Sequence, residues 1–508
     1  MFVIKANKIG AFRCRISKSI IHRIQDTPHD IFLILLELHP ILMALPKPLC
    51  VRIICVNDKA SITFYGGAGT VTGANFLFDI GDKKILVDCG ALEREYTCDP
   101  ANSMSFDYDP KDIDVLIITH AHADHIGRVP KLVQDGFKGI IYSTAATRDL
   151  AALMFDDALT VMRADSEKHG CTVWYEKEDV AHALSLWQTH EYHESFKVGS
   201  AEVEFLDAGH ILGSAMIRFT RGGRRVMFTG DLGNSPEPLL NDTESPEGVN
   251  YLVMESVYGD RMHEDRDERD AVLRGSIEAA RARGGTLLIP SFSIERTQIL
   301  LYEMEQMIEK GMKPIPVYLD APLAIRVTEV YRTYANLLNP AARAHFEDGK
   351  DAFTFKNLHI IKDVAESRDI HKASDPKVII AGAGMSVGGR IRSHETRYLP
   401  DPKAAVLFVG YQAPGSLGRR IADGQKKITI DGVTVQVKAT IGMLTGYSGH
   451  KDRDGLLSFV EQVGASLQKV FVVMGEPKSE LFLSQRINDF LGVEAHVPAA
   501  GETAVIEW

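Results

Sequence analysis

The chain has 508 residues, of which 45% are apolar and 25% charged, a composition typical of a globular protein with two or three domains. Its net charge of −11 at pH 7 excludes a generally basic surface, so any contact with nucleic acid requires a local groove. The six cysteines contain no CxxC pair, and a reducing, cytoplasmic setting is therefore the default expectation.

Residues 1–55 differ in composition from the rest of the chain. Up to Gln25 the segment has six Lys or Arg and no acid, and an apolar stretch follows at residues 31–45. That stretch contains Glu37 and Pro40 and is too short to span a bilayer, so we expect no membrane segment. We interpret residues 1–55 as an upstream extension from a mis-assigned start, with Val56 as an alternative start. A transit peptide is the other interpretation.

Short apolar runs after residue 60 predict a series of strands, each followed by a polar residue. The strands are predicted at residues 62–65, 76–78, 85–88, 115–118, 139–142, 201–206, 215–220, 224–229 and 251–255. The polar residues where strands stop are Asp88, His120, His210, Asp231 and Glu255. Because such strand ends converge on one edge of a sheet, we expect these side chains to build one site.

The densest group of candidate ligands follows the predicted strand at 115–118. The stretch Thr119-His120-Ala121-His122-Ala123-Asp124-His125 places four metal-capable side chains within six positions. Alternate side chains of an extended segment share a face, so His120 and His122 can approach one cation together. Asp124 and His125 lie where the chain turns into a helix and can face a second position. Imidazole and carboxylate without thiolate suit zinc, with manganese or iron as alternatives.

After Asp260 the pattern changes to alternating helices and strands. Helices are predicted at 271–283 and 294–310, and strands at 286–290, 315–319, 377–381 and 404–409. This alternation is typical of a parallel α/β sheet and indicates a second domain inserted into the first. The basic residues between 390 and 427 indicate either a groove that follows a nucleic-acid strand or an ordinary solvated surface.

The pattern His-x-His-x-Asp-His after a strand resembles the metallo-β-lactamase family, and the segments around His210 and Asp231 match its next motifs in order. The resemblance implies an αββα sandwich with metals at one edge. It also implies the ligand sets: His120, His122 and His210 for one zinc, Asp124 and His125 for a second, and Asp231 between them. Asp88 matches an aspartate that orients the site without binding metal.

Residues 254–261 and 447–452 resemble motifs of the β-CASP subgroup, the nucleic-acid-processing branch with an inserted domain. That resemblance implies catalytic roles for Glu255 and His450, with His450 as general acid, alongside Asp124. Residues 290–298 and 383–390 also resemble the insert, which makes Arg296, Ser448 and Arg390 candidates for substrate contact. The predicted divisions are the extension 1–55, the lactamase domain 56–260, the β-CASP domain 261–435 and the lactamase return 436–508.

Met474 departs from the family pattern. RNA-cleaving members typically carry a histidine at this place before Gly-Glu, whereas DNA-cleaving members carry an apolar residue. A thioether is a poor zinc ligand, so a second zinc would keep Asp124, His125, Asp231 and solvent.

The resemblance therefore implies a zinc-dependent ribonuclease acting on single-stranded RNA in the cytoplasm, with no membrane partner and with a homodimer left open. A DNA nuclease of the same branch is the nearest alternative, because of Met474. A small-molecule hydrolase is disfavoured by the long insert and by the Glu255 and His450 motifs. A catalytically silent RNA-binding scaffold is disfavoured because all six candidate metal ligands are retained.

Overall fold

The computed structural model describes residues 59–92, 98–263, 266–413 and 415–508. The expectations for residues 1–55 and for a start at Val56 fall outside these residues. None of the helices in these ranges combines the length and the apolarity that crossing a bilayer requires.

The strands are, in chain order, β1 (Lys59–Gly66), β2 (Asn75–Asp79), β3 (Lys84–Val87), β4 (Val115–Ile117), β5 (Ile140–Ser143), β6 (Trp187–Thr189), β7 (Phe196–Val198), β8 (Ala201–Asp207), β9 (Ala215–Arg221), β10 (Arg224–Phe228), β11 (Tyr251–Met254), β12 (Thr286–Pro290), β13 (Val317–Asp320), β14 (Leu358–Ile360), β15 (Lys377–Ala381), β16 (Ala405–Val409), β17 (Lys427–Ile430), β18 (Val433–Gln436), β19 (Thr440–Leu444), β20 (Lys469–Val472), β21 (Glu494–His496) and β22 (Thr503–Glu507).

The α-helices are α1 (Pro100–Ser103), α2 (Ala123–Ile126), α3 (Val129–Gln134), α4 (Ala145–His169), α5 (Lys177–Ser185), α6 (Arg266–Arg283), α7 (Arg296–Glu309), α8 (Pro322–Thr333), α9 (Pro340–Glu347), α10 (Val364–Asp369), α11 (Ile391–Tyr398), α12 (Leu417–Ala422), α13 (Arg453–Val463) and α14 (Pro477–Arg486).

Two seven-stranded sheets pack face to face. Their strand orders are β22-β1-β2-β3-β4-β5-β6 and β21-β20-β11-β10-β9-β8-β7. Phenylalanines from both sheets fill the space between them, and the rings of Phe78 and Phe219 lie 5.1 Å apart. Helix α4 covers the outer face of the first sheet through residues such as Leu150 and Phe155, and α13 and α14 cover the second. The predicted αββα sandwich is therefore confirmed.

A third sheet contains six parallel strands in the order β14-β13-β15-β12-β16-β19. Its central strands β12, β15 and β16 are buried on both faces because helices cover both, as expected for a parallel sheet. Helix α7 packs on one face, and α11 and α12 on the other. Strand β19 extends this sheet beyond residue 435, the predicted end of the insert, and leads directly into the 447–452 motif.

The structure also joins Cys98 and Cys171 in a disulfide. The sequence gives no signal for this pairing, because the two residues are 73 positions apart and belong to no recognisable cysteine pattern. Cys89 is a free, buried thiol, and burial raises its pKa to about 12.

Candidate metal centre

The polar residues that follow the strand ends do meet at one edge of the sandwich. His120 follows β4, His122 precedes α2, and Asp124 and His125 lie within that short helix. His210 comes from the loop after β8, where Gly209 has a φ of +65° and where a Cβ would lie 2.7 Å from the Asn241 carbonyl oxygen. Only glycine fits that position without strain, and it brings the His210 backbone close to its neighbours.

Four donor atoms form the first cluster, from His120, His122, His210 and Asp231. The Nδ1 atom of His122 lies 3.1 Å from the Nε2 atoms of both His120 and His210. The Asp231 Oδ2 atom lies 3.4 Å from each of the same two Nε2 atoms. Tetrahedral zinc with ligand distances of about 2.0–2.1 Å separates its ligand atoms by roughly 3.3 Å. The spacing of these four atoms therefore fits one such cation.

The second cluster is formed by Asp124, His125 and Asp231. His125 Nε2 lies 3.2 Å from Asp231 Oδ1 and 3.8 Å from Asp124 Oδ2. His125 Nε2 and Asp231 Oδ1 are both buried and have no hydrogen-bond partner among the described residues. Buried polar atoms without partners are costly, and a cation between them would satisfy both. These three residues thus fit a second divalent ion that has fewer protein ligands than the first.

The opposite nitrogens of the histidine rings are fixed by other groups. His125 Nδ1 lies 2.7 Å from Asp88 Oδ2, and Asp88 also accepts hydrogen bonds from the amide and hydroxyl of Thr119. His210 Nδ1 lies 2.9 Å from the Gly449 carbonyl oxygen. Such partners orient metal-binding imidazoles and leave the other nitrogen for the ion. Asp88 therefore contacts the His125 ring at the nitrogen opposite the one that faces Asp231.

Burial and neighbouring charge decide the protonation of the cluster. Burial, together with the neighbouring imidazoles, holds the pKa of His122 and of His210 well below the usual value, which favours the neutral, metal-binding form. For Asp231, burial would raise the pKa, but His125 and His120 outweigh it and hold the pKa well below the usual range. Asp231 is therefore a carboxylate, as a metal ligand must be.

Glu255 and His450 form a pair beside the first cluster. His450 Nδ1 lies 3.2 Å from both carboxylate oxygens of Glu255 and 3.9 Å from Asp231 Oδ2. Burial raises the pKa of Glu255, whereas the pKa of His450 is raised because Glu255 and Asp231 outweigh the effect of burial. The pair can therefore hold a proton on an imidazole that lies next to the candidate metals.

Of the three candidates for substrate contact, the structure places two at the clusters. Arg296 lies beside His210, and its guanidinium is 3.3 Å from where a Cβ on Gly449 would stand. Ser448 is buried, and its hydroxyl accepts a hydrogen bond from the His450 amide at 3.4 Å. Arg390 instead forms an ion pair with Asp320 at 2.6 Å, at the end of β13.

Three arginines of the basic stretch 390–427 form ion pairs with neighbouring acids. Besides Arg390, Arg392 lies 3.2 Å from Asp431, and Arg419 lies 2.9 Å from Asp423. Ion pairs of this kind are typical of an ordinary protein surface. These contacts favour the solvated-surface interpretation over a groove.

Sequence reasoning missed Arg269, which holds the loop that carries His450. Its guanidinium donates to the Gly446 carbonyl oxygen at 3.2 Å and lies 2.8 Å from Glu303 on α7. Tyr447 also donates a hydrogen bond to Glu303. No sequence signal singles out Arg269 within this charged segment, because its role depends on its burial.

Met474 lines a small cavity beside the second cluster. It follows β20, is buried and has a φ of +51°. Together with Asp88, His125 and Glu255 it lines a cavity of about 10 Å³, which is about the size of one water molecule. The position that the family pattern assigns to a third-motif histidine is therefore next to His125.

The sequence matches three known families in chain order. Residues 68–291 match the Metallo-beta-lactamase superfamily, residues 297–421 the Beta-Casp domain, and residues 434–498 the Zn-dependent metallo-hydrolase RNA specificity domain.

Several characterised proteins and one solved structure are similar over most of the chain. Ribonuclease TTHA0252 of Thermus thermophilus is 34% identical over 83% of this chain and 94% of its own length. The transcription termination factors FttA of Methanocaldococcus jannaschii and Pyrococcus abyssi are 30% and 31% identical over 86% of this chain and 70% of their lengths. A protein of unknown function from Enterococcus faecalis shares the fold, with a TM-score of 0.53 and 14% identity over 88% of this chain and 100% of its own.

Proposed function

This chain is a metal-dependent hydrolase of the β-CASP branch of the metallo-β-lactamase superfamily, and from that premise we propose that it is a zinc-dependent ribonuclease cleaving single-stranded RNA. One observation carries the proposal: two nitrogen–oxygen clusters share Asp231, and the Glu255–His450 pair adjoins them. A match to an RNA specificity domain and a relative named as a ribonuclease support RNA as the substrate.

The metal ligands in this proposal are those that meet in the two clusters. His120, His122, His210 and Asp231 hold the first zinc, and Asp124, His125 and Asp231 hold the second. Imidazole and carboxylate donors suit zinc, and no thiolate is among them. The chemistry that bound zinc supplies is activation of water and compensation of the phosphodiester charge.

His450 is the proposed general acid. Glu255 accepts a hydrogen bond from His450 and stabilises its charged form, so that His450 keeps a proton for the departing oxygen of the phosphodiester. Arg296 and Ser448 are the proposed contacts to the substrate phosphate, because both lie at the rim of the first cluster. Arg390 is a weaker candidate, since Asp320 already binds it.

Met474 gives one specific reason for a second candidate, a DNA nuclease of the same branch.

We also propose domain boundaries at residues 260 and 435 and a cytoplasmic location for the protein. A homodimer is an open alternative to a monomer. Sedimentation of the purified chain decides the last of these.

Replacing His122 by alanine tests the proposed function. We expect RNA cleavage to fall by more than about 100-fold and one zinc to be lost per chain, since losing even an outer partner of a zinc ligand costs 10–100-fold. His193→Ala is the matched control, because His193 is an exposed histidine that pairs with Glu244. Undiminished RNA cleavage by His122→Ala would rule out the zinc mechanism.

A further inference from the structure

Glu295, the residue before α7, has a backbone conformation that is rare for any residue with a side chain. Its φ is +66° and its ψ is −60°. Glycine adopts such a conformation readily, whereas a residue with a Cβ is strained in it. Strain of this kind persists only where the surrounding structure enforces it, and it is concentrated at functional sites.

The side chain of Glu295 shows what enforces that conformation. Its carboxyl group is buried and accepts a hydrogen bond from the hydroxyl of Tyr331, a fully buried residue of α8. The same Tyr331 hydroxyl accepts a hydrogen bond from the Leu212 amide at 3.3 Å. Leu212 stands two residues after His210, so the inserted domain is tied to the loop that carries a proposed zinc ligand.

Arg296, the next residue, is an arginine without an ionic partner. Its guanidinium makes no hydrogen bond or ion pair with any residue that the structure describes, and its Nε atom is buried. The ring of Phe292 lies 5.4 Å from it, and it is close enough to His122, His210 and His450, and also to Glu295 and Tyr331, to interact with them electrostatically. An unpaired arginine beside a metal cluster is suited to bind a phosphate.

The direction of the Arg296 side chain depends on the backbone at Glu295. A change in the φ of residue 295 would rotate the start of α7 and move the guanidinium away from Gly449. The buried Glu295–Tyr331 contact opposes that rotation. The buried side chains of Glu295 and Tyr331 therefore hold the unpaired guanidinium of Arg296 in place.

We propose that Glu295 is a positioning residue that, together with Tyr331, holds Arg296 in place to bind the substrate phosphate beside the metal clusters. The substrate in this statement rests on the proposed function. Glu295 itself does not touch the substrate, and it acts through Arg296.

A double-mutant cycle between Tyr331 and Arg296 tests the coupling. Arg296→Ala should raise the KM for RNA by roughly 10- to 100-fold, the loss expected for a charged hydrogen bond to phosphate, and should change kcat less. Tyr331→Phe, which keeps the ring and removes the hydroxyl, should raise KM by about tenfold. The double variant should be no worse than Arg296→Ala alone, because both changes remove the same contact.

Matched variants separate positioning from a general loss of structure. Glu295→Gln keeps the shape and the hydrogen-bond acceptor and should retain a near wild-type KM, whereas Glu295→Ala should behave like Tyr331→Phe. Tyr302→Phe, on the far side of α7 against His345, should leave KM unchanged. The zinc content should be equal in all of these variants.

Hydrogen exchange of the Leu212 amide gives a readout that does not require activity. Tyr331→Phe should accelerate exchange in residues 209–214 relative to the wild type and Tyr302→Phe. Unchanged exchange, or KM effects that add in the double variant, would overturn the positioning role. If the wild type cleaves no RNA, the proposed function fails, while the exchange measurement still decides whether Tyr331 holds this loop.

Discussion

Asp231 is the residue on which both candidate metal positions depend. One carboxylate oxygen faces His120 and His210 at 3.4 Å, and the other faces His125 at 3.2 Å. A carboxylate with two oxygens can bridge two cations, and its negative charge lowers the repulsion between them. No other residue in the described part of the chain belongs to both candidate metal clusters.

Replacing Met474 by histidine should strengthen the second metal position. The side chain at residue 474 lines the same small cavity as His125, and histidine tolerates the positive φ at this position better than most residues. We expect zinc per chain to rise in Met474→His at limiting zinc, measured by elemental analysis after dialysis. Met474→Leu, which preserves the apolar side chain, should leave the zinc content per chain unchanged. An unchanged zinc content in Met474→His would show that the motif is misaligned.

Glu395 should make the stability of the fold depend on pH. It is fully buried in α11 and accepts a hydrogen bond from Ser386, and its second oxygen has no hydrogen-bond partner in the part of the chain that the structure describes. Burial raises its pKa from 4.5 to about 8, so the folded state keeps a proton that the unfolded state releases between these values. The free energy of unfolding should therefore fall as the pH rises from 4.5 to 8, by up to about 1.4 kcal/mol per pH unit, and level off above.

Glu395→Gln removes that titration because an amide is neutral at every pH. Denaturant unfolding between pH 5 and 9 should show a flatter profile for this variant than for the wild type. The exposed Glu461→Gln should keep the wild-type profile. Identical profiles for wild type and Glu395→Gln would contradict the assignment.

At the scale of the elements, apolar runs located most strands within a few residues, because each buried strand is a continuous apolar segment. The predicted strand 286–290 is β12, and the predicted helix 294–310 is α7 with shorter ends. The end of helix α4 at His169 leaves no signal in the sequence, since its last turns are solvent-exposed and lack an apolar stripe. Strand β19 was not predicted, because Gly442 interrupts it and only Leu444 is buried.

The motif residues were predictable because the chemistry of a metal site limits the residue types. Apart from Asp88, the residues that support the site were not. Arg269, Glu295 and Tyr331 act through burial and long-range contacts, and neither leaves a local pattern in the sequence.

Gly275, in the middle of α6, is an exposed position where stability can be gained. A Cβ there meets nothing within 4 Å, and the backbone is helical. Gly275→Ala should raise the free energy of unfolding by about 0.5–1 kcal/mol, because alanine loses less backbone entropy. Denaturant unfolding measures this change.

Gly90→Ala provides the contrast. A Cβ at residue 90 would stand 1.6 Å from the Asp124 carbonyl oxygen, so this variant should lose stability and zinc together. Equal effects of the two substitutions would contradict the packing described around Asp124.

At the scale of the whole molecule, the site is closed by contacts between the two parts of the chain. The lactamase sandwich supplies the candidate metal ligands, from His120 to Asp231. The insert supplies Arg296. It also supplies Arg269, which holds the loop of His450, and Tyr331, which holds the loop of His210. Separate parts would therefore lack a complete site. The metal ligands lie on the sandwich, but the insert completes the site around them. This arrangement explains why the two occur together in one chain.

The most direct test of the ribonuclease assignment is to measure zinc content and cleavage of matched, end-labelled single strands of RNA and DNA by the same preparation of the full chain. We expect about two zinc ions per chain when zinc is supplied, and we expect the protein to cleave RNA in preference to DNA. Cleavage of DNA alone, or no cleavage by protein with both zinc positions filled, would contradict it and would mark Met474 as a change of substrate or of role.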